Sequence, residues 1–154
     1  MIMKQELIKK LGLQGVAGEL NGASESQIIK SEAKLKIRLP DDYKEFLRKF
    51  GPSLFTEEVV FTPIEPSPWA IDGDECFDVF YGISTDSGFD VAQINNRLKG
   101  EIPDGTIAIG HDSGSNKILL SLDTNQVRFL DKETGVTFLI AHNFGDFLKT
   151  FHRR

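Results

Sequence analysis

Helical spacing of apolar residues marks a first element in the N-terminal part of the chain. Ser24 and Gln27 have the spacing of a capping box, in which each side chain bonds a backbone N–H that the helix start leaves free. The apolar residues that follow predict a helix of about three turns: Ile28, Ile29, Leu35 and Ile37. Leu39-Pro40 ends this helix, because a residue before proline is disfavoured in the helical conformation.

A second amphipathic helix is predicted directly after this break. Pro40 suits the first helical position, and the two aspartates after it suit the positive end of the helix dipole. Four apolar residues then share one helical face: Tyr43, Phe46, Leu47 and Phe50. Gly51 is expected to end the helix as a left-handed C′ residue, and Pro52 prevents its continuation.

The chain carries weaker patterns before the first helix and after the second. Residues 1–13 hold three lysines and no continuous apolar stretch, so they predict an amphipathic helix rather than a signal peptide. Residues 52–76 predict loops around one short strand at 59–61, because Pro63, Pro66 and Pro68 oppose a regular helix there. Residues 77–81 are compatible with a further strand.

Period-two alternation dominates the C-terminal half. Strands with tight turns between them are predicted at residues 106–109, 117–122, 126–130 and 136–140. Such alternation is typical of an antiparallel meander with one buried face. Two capped helices are predicted around the meander: Ser87-x-x-Asp90 begins one, and Asn143 begins the other. The second has an aromatic stripe that we expect to pack on the sheet: Phe144, Phe147, Leu148 and Phe151.

Composition is that of an ordinary globular protein. The 154 residues fit a single domain, residues 1–154, since domains commonly run to about 100–150 residues. Apolar residues make up 40% of the chain and charged residues 27%, so neither a disulfide nor a metal is needed for folding. Cys76 is the single cysteine, which favours a reducing compartment, and we expect a cytoplasmic protein. No apolar run is long enough to span a bilayer.

Charge is distributed unevenly along the chain. The net charge is −5, yet residues 57–112 hold twelve acidic and two basic side chains, a balance of −10. A set of solvated loops is the ordinary explanation for such a block. The alternative is an acidic face aimed at a basic protein partner, which would speed association and reject wrong partners. The net negative charge argues against nucleic acid as a partner.

Residues with catalytic or metal-binding chemistry occur singly. The three histidines are far apart and lack a metal-ligand companion at the usual spacing. The acidic run at residues 72–78 lacks the glycine and the glutamate that a calcium loop of the EF-hand type requires. There is no phosphate-binding glycine loop with its lysine, and no G-x-S-x-G motif. We therefore expect no catalytic residue, no cofactor and no metal site.

The candidates for contact with a partner lie in and beside the acidic run. Trp69, in a proline-rich loop, is either a core residue or an exposed anchor, because tryptophan is enriched in binding hot spots. The acidic candidates are Asp72, Asp74, Glu75, Asp78 and Asp86.

Three blocks in fixed order resemble the SUKH superfamily, which includes the yeast cell-wall assembly regulator and many bacterial immunity proteins. The first is a helix with an acidic residue, Glu32, then Leu-Pro-x-x-Tyr at residues 39–43 and an apolar helix ending in glycine. The second is Pro-x-Gly at residues 103–105, followed by an apolar strand, Asp112 and a glycine loop. The third is a strand and a helix containing a Phe-Leu pair at residues 147–148. The resemblance covers residues 24–151, and Ser115-Asn116 depart from the family's usual Gly-Asp.

The resemblance implies an α+β fold with a mostly antiparallel central sheet of about five or six strands, flanked by about four helices. It also implies a non-enzymatic protein that neutralises a cytoplasm-acting toxin, often a nuclease, by occluding it. The acidic block suits this function, because a toxin that grips nucleic acid carries a basic surface. The fungal relatives imply an alternative, a regulatory adaptor that binds a host protein. A hydrolase that uses carboxylates of the acidic block is a third hypothesis.

Overall fold

A computed structural model describes residues 6–85 and 88–154. The described chain begins with a π-helical turn, Glu6–Lys10, followed by strand β1, Leu13–Gly15. The helix predicted for residues 1–13 is therefore found as this short π-helical turn, with Leu13 already in β1, and residues 1–5 lie outside the described residues. The π-helical turn packs against β1, so this segment belongs to the sheet edge.

Four α-helices follow the predicted order. They are α1 (Glu25–Leu35), α2 (Asp41–Lys49), α3 (Val91–Arg97) and α4 (Phe144–Lys149). Ser24 and Gln27 form the predicted capping box, and Asn143 caps α4 by accepting from the backbone N–H of Asp146. The cap of α3 is Asp90, and Ser87 lies outside the described residues.

Gly51 occupies the predicted C′ position after the C-cap of α2, but it does not have the positive φ angle of a left-handed C′ residue. The helix ends at Phe50, whose backbone is extended with a φ of −129°. Gly51 is needed for a different reason: a Cβ at this position would collide with the backbone carbonyl oxygen of Asn21. The glycine therefore permits two chain segments to approach closely, a requirement that no local pattern reveals.

Ten strands form two antiparallel sheets in the described part of the chain. After β1, they are β2 (Ser53–Phe55), β3 (Val59–Phe61), β4 (Glu75–Cys76), β5 (Val79–Phe80), β6 (Thr106–His111), β7 (Lys117–Ser121), β8 (Val127–Leu130), β9 (Thr137–Ala141) and β10 (Phe151–Arg153). The main sheet has the order β1-β2-β5-β6-β7-β8-β9, and the small sheet has the order β10-β3-β4. The predicted α+β class and the antiparallel meander β6 to β9 are confirmed.

The strand number exceeds the expected five or six, because short strands carry too little alternation to be recognised. Phe151 shows this directly. It continues the helical spacing of α4, yet it begins β10 and pairs with Phe61 of β3. Three-residue strands such as β2 and β10 are specified by their partners rather than by their own pattern.

The two faces of the main sheet bury two separate apolar clusters. One face packs against α2 and α4 and contains the predicted aromatic stripes, with Phe46 touching Phe80 at 4.9 Å and Phe144 at 5.1 Å between ring centroids. Tilted and edge-on ring contacts of this kind stabilise the core in addition to the burial of apolar surface. The other face packs against α3 through a smaller cluster that includes Val79, Tyr81 and Leu119.

Candidate protein-binding surface

Three of the six residues proposed to contact a partner, Trp69, Asp72 and Asp74, lie in the loop between β3 and β4, residues 62–74, here called the Trp69 loop. Its tip is Asp72-Gly73, where both residues have positive φ angles of 55° and 82°. Ile71 and Asp74 flank the tip and exchange two backbone hydrogen bonds of 2.9 and 3.0 Å. This is the geometry of a tight two-residue turn, for which Asp-Gly is a preferred sequence. The first part of the acidic run is therefore a turn.

The Trp69 loop runs along the outer edge of β9. The backbone N–H groups of Ile64 and Glu65 donate to the carbonyl oxygens of Ile140 and Leu139 at 3.0 and 2.8 Å. The Glu65 carboxylate accepts from the backbone N–H of Leu139 at 2.8 Å. An uncovered edge strand would offer these backbone groups to another chain. The loop thus protects the edge of the sheet and is held in place by it.

Trp69 is exposed and held in position. Its side chain is 62% exposed, and its indole Nε1–H donates to Oδ2 of Asp131 at 3.4 Å. Asp131 lies in the turn between β8 and β9, where it also accepts from the backbone N–H of Glu133 and the hydroxyl of Thr134, both at 3.0 Å. These hydrogen bonds, that of Glu133 foremost, lower the pKa of the Asp131 carboxyl, which therefore stays ionised and keeps the indole tethered.

Three large apolar side chains of the Trp69 loop face solvent. Ile64 is 53% exposed and Ile71 60% exposed, in addition to Trp69. We call these three residues the Trp69 patch. Sequence reasoning singled out Trp69 and missed the two isoleucines, although apolar residues between prolines in a loop were a usable signal. Val136, in the neighbouring hairpin, is 50% exposed as well, against the expectation that it faces the core.

Glu75 is not available for contact with a partner. Its side chain is buried, and its carboxylate accepts from the backbone N–H and the hydroxyl of Ser67, each at 2.9 Å. The expectation that Glu75 contributes to an exposed acidic surface is wrong. Because strand residues alternate between faces, Glu75 of β4 points inward while the next residue, Cys76, is exposed. The carboxylate fixes the base of the Trp69 loop.

The remaining acidic candidates are in different environments. Asp74 accepts from the Thr62 hydroxyl at 2.7 Å and lies 3.4 Å from Nε2 of His152; these contacts, the Thr62 hydrogen bond first, lower its pKa. Asp78 is half exposed, with Oδ2 at 3.4 Å from Nε2 of His111. Asp72 is exposed at the turn. Asp86 lies outside the described residues.

The other carboxylates of residues 57–112 are largely engaged with basic or backbone groups. Arginines from the C-terminal part of the chain pair with three of them: Glu57 with Arg153, Glu58 with Arg154, and Glu65 with Arg128. Asp90 and Asp112 are buried and accept hydrogen bonds from nearby backbone N–H groups. The acidic block is therefore divided among pairs, caps and turns, and the apolar Trp69 patch is the more distinctive surface feature.

The described residues contain neither a cluster of metal-binding side chains nor a membrane-spanning helix. Within residues 6–85 and 88–154, no group of three or more histidine, cysteine, aspartate or glutamate side chains has a metal-binding arrangement. In the same ranges, no helix has the length and apolar content needed to cross a bilayer.

The fold and the exposed loop define a small α+β protein with a large antiparallel sheet. The chain belongs to the SMI1 / KNR4 family (SUKH-1), whose family model matches residues 22–150. It is similar to a curated protein described as SPbeta prophage-derived uncharacterized protein YokK, from Bacillus subtilis strain 168. The two are 29% identical over 137 residues, which cover 79% of this chain and 71% of that protein. The family resemblance inferred from the three sequence blocks is confirmed.

Proposed function

We propose that this chain is an immunity protein that neutralises a protein toxin acting in the cytoplasm, where the chain itself would reside. Membership of the SMI1 / KNR4 family (SUKH-1), which includes toxin-immunity proteins, supports a non-enzymatic binding function. The similar Bacillus protein is prophage-derived, which is consistent with a function carried by mobile genetic elements. The mechanism is occlusion: the immunity protein covers the toxin's active site or substrate groove.

The observation that carries the choice of surface is the exposed and tethered indole of Trp69. A side chain held by Asp131 before binding loses little conformational entropy when a partner covers it. Tryptophan provides a large contact area, and Ile64 and Ile71 expose further apolar surface on the same loop. The tip of the same loop adds negative charge through Asp72, and Asp78 adds a second exposed carboxylate.

A nuclease is the toxin class that this surface suits best. Nucleic-acid-binding surfaces are rich in lysine and arginine, so the exposed carboxylate of Asp72, on the same loop as Trp69, would attract them. Because most carboxylates of residues 57–112 are already engaged, electrostatics is expected to affect the association rate more than the lifetime of the complex.

The test first identifies a toxin domain encoded beside the gene for this chain and then uses that domain in a rescue experiment. The toxin domain is expressed in a susceptible host with the wild-type chain, with Trp69→Ala, or with Ile29→Ala. Ile29 lies on α1 and is 59% exposed, so it controls for removal of an exposed apolar side chain. We expect wild type and Ile29→Ala to restore growth and Trp69→Ala to fail.

Direct measurement of toxin affinity tests the proposed binding surface separately from the proposed immunity function. Loss of a hot-spot tryptophan costs about 2 kcal/mol or more, which weakens the toxin complex by about 30-fold. Unchanged affinity of Trp69→Ala in calorimetry, with rescue intact, would remove the Trp69 patch from the interface. Failure of the wild-type chain to bind or inhibit the adjacent toxin would overturn the proposed function itself.

A further inference from the structure

A small polar pocket, separate from the Trp69 patch, lies on the α3 side of the main sheet. Its volume is about 220 Å³, which is below the range of about 300–1,000 Å³ typical of pockets for drug-sized ligands. Ile94 and Leu98, at the C-terminal end of α3, form an apolar wall. The polar wall comes from Tyr81, His111 and Lys117, and Arg97 also lines the pocket.

Sheet pairing brings the polar residues of this pocket together. His111 of β6 lies directly opposite Lys117 of β7 and opposite Val79 of β5. Tyr81, just after β5, places its hydroxyl oxygen 2.6 Å from Nδ1 of His111. On the other side of the imidazole, Oδ2 of Asp78 lies 3.4 Å from Nε2. Asp78, His111 and Tyr81 therefore lie in a row that ends at the pocket, with a hydrogen bond between His111 and Tyr81 and an ion-pair distance between His111 and Asp78.

The carboxylate of Asp78 decides which atoms of His111 and Tyr81 carry protons. We assign the proton of the neutral imidazole to Nε2, because this nitrogen faces the Asp78 carboxylate, which can only accept. In the neutral imidazole, Nδ1 is then an acceptor, and the Tyr81 hydroxyl must donate its single proton to it. Burial lowers the pKa of His111, as does the nearby Lys117, while Asp78 and Asp112 oppose the shift. The neutral arrangement therefore prevails near pH 7.

Lys117 is half buried beside His111 and forms no ion pair with a described carboxylate. Within residues 6–85 and 88–154, no carboxylate oxygen lies within 4.0 Å of its ammonium group. Burial lowers the pKa of Lys117, and the charge of Lys132 lowers it further, while the charges of Asp112 and Glu101 oppose the shift. A partly desolvated, unpaired cation is costly, and a bound anion would relieve that cost. Lys117 thus places a basic side chain in this pocket, in a chain whose net charge is −5.

We propose that this pocket binds a small oxyanion of sulfate or phosphate size, and that binding is coupled to protonation of His111. The Lys117 ammonium makes the direct charge contact. When a proton from solvent binds Nδ1, the imidazolium donates to the Tyr81 oxygen. The Tyr81 hydroxyl proton is then free to turn toward the pocket and donate to the anion. One proton is taken up for each anion that binds in this way.

The test uses calorimetric titration of the full chain with sodium sulfate, at ionic strength held constant with chloride. Titrations at about pH 6 and about pH 8 span the range in which a histidine changes charge. Repeating them in buffers of different ionisation enthalpy measures the number of protons taken up. We expect tighter sulfate binding at the lower pH, accompanied by proton uptake.

Three variants assign the effect to residues. Lys117→Met keeps the aliphatic stem and is expected to weaken sulfate binding by about tenfold or more, the value of a lost charge-assisted hydrogen bond. Tyr81→Phe keeps the buried ring and is expected to abolish most of the pH dependence. Lys30→Met, which removes an exposed lysine of α1, is expected to bind like wild type. Equal affinity of wild type and Lys117→Met, pH-independent wild-type binding, or no detectable sulfate binding would each overturn the proposal.

Discussion

Glu75 turns its carboxylate into the protein and accepts both polar hydrogens of Ser67, the backbone N–H and the hydroxyl, at 2.9 Å each. The Ser67 hydroxyl oxygen in turn accepts from the backbone N–H of Trp69 at 3.2 Å. A single buried carboxylate thus organises the base of the loop that presents the tryptophan. An acidic residue that the sequence assigns to the binding surface instead supports that surface from below.

Replacement of Glu75 tests this supporting role. Glu75→Ala leaves the buried donors of Ser67 unpaired, and we expect the free energy of unfolding to fall by about 1–3 kcal/mol. Urea denaturation of wild type and variant measures the difference. Asp72→Asn, at the exposed tip of the same loop, serves as the control, because asparagine tolerates the positive φ angle of this position, and a change within about 0.5 kcal/mol is expected. A stability of Glu75→Ala equal to that of the control would contradict the role.

Tyr43 carries a buried hydroxyl without a hydrogen-bond partner among the described residues. Burial raises the pKa of Tyr43, so the hydroxyl remains protonated and unpaired. Tyr43→Phe removes the unsatisfied group and keeps the ring against Phe144, so the free energy of unfolding should rise by about 1 kcal/mol. Tyr81→Phe gives the contrast, since it removes a hydroxyl that bonds His111 and should destabilise the protein. Thermal and urea unfolding of both variants would show whether their effects have opposite signs.

Asn95 connects α3 to the main sheet through its buried amide. The side chain accepts from the backbone N–H of Ala108 at 2.7 Å and donates to the carbonyl oxygens of Ala108 and Val91, both at 2.8 Å. Asn95→Ala should lower the free energy of unfolding by about 2–3 kcal/mol, because it leaves buried backbone groups unpaired. Asn96→Ala, the exposed neighbour in the same helix, should change it by less than about 0.5 kcal/mol. Similar losses in both variants would contradict this prediction.

Gly51 tests the close approach of two chain segments. Gly51→Ala places a Cβ against the carbonyl oxygen of Asn21, and backbone cannot yield as a flexible side chain can. We expect a loss of about 2 kcal/mol or more in the free energy of unfolding. Gly114→Ala is the control, since its added Cβ would meet only ordinary contacts of 3.4 and 3.5 Å. If Gly51→Ala is as stable as Gly114→Ala, the close approach is not required.

The depressed pKa of His111 makes stability depend on pH in a definite direction. The unfolded chain binds a proton at this side chain near its ordinary pKa of 6.5, whereas the folded protein resists protonation until a lower pH. Stability from neutral His111 is therefore complete above pH 6.5 and declines as the pH falls below it. Urea denaturation from about pH 8 to about pH 5 should show a smaller decline for His111→Gln than for wild type. An equal decline in both proteins would assign the pH dependence to other groups.

The helices were predictable because their signals are local. A serine three residues before a glutamine defines the cap of α1, and an apolar stripe defines the buried face of α2, whatever the rest of the chain does. The meander from β6 to β9 was predictable for the same reason, since alternation and turn residues are read along one segment. The family resemblance followed from the order of these same elements.

The candidate surface was only partly predictable. Trp69 was identified from its residue type and its proline-rich surroundings, but whether it is core or exposed depends on the path of the loop along β9. The acidic run could not be divided by charge alone. Asp72 lies in a tight turn, and Asp74 lies close to His152. Glu75 points inward, because alternation along β4 and its pairing with β3 set the direction of its side chain.

The amino-acid sequence by itself determined the capped helices, the alternating strands, the aromatic faces and the family, since each depends on interactions over a few residues or on their order. Tertiary structure alone decided which distant groups meet. His111 faces Tyr81 and Lys117 because β5, β6 and β7 are neighbours in the sheet, and Trp69 reaches Asp131 because its loop follows the edge of β9. Burial and pairing across the sheet are not encoded by any local pattern. They bury Glu75 of the acidic run beneath the Trp69 loop and leave the apolar Trp69 patch exposed.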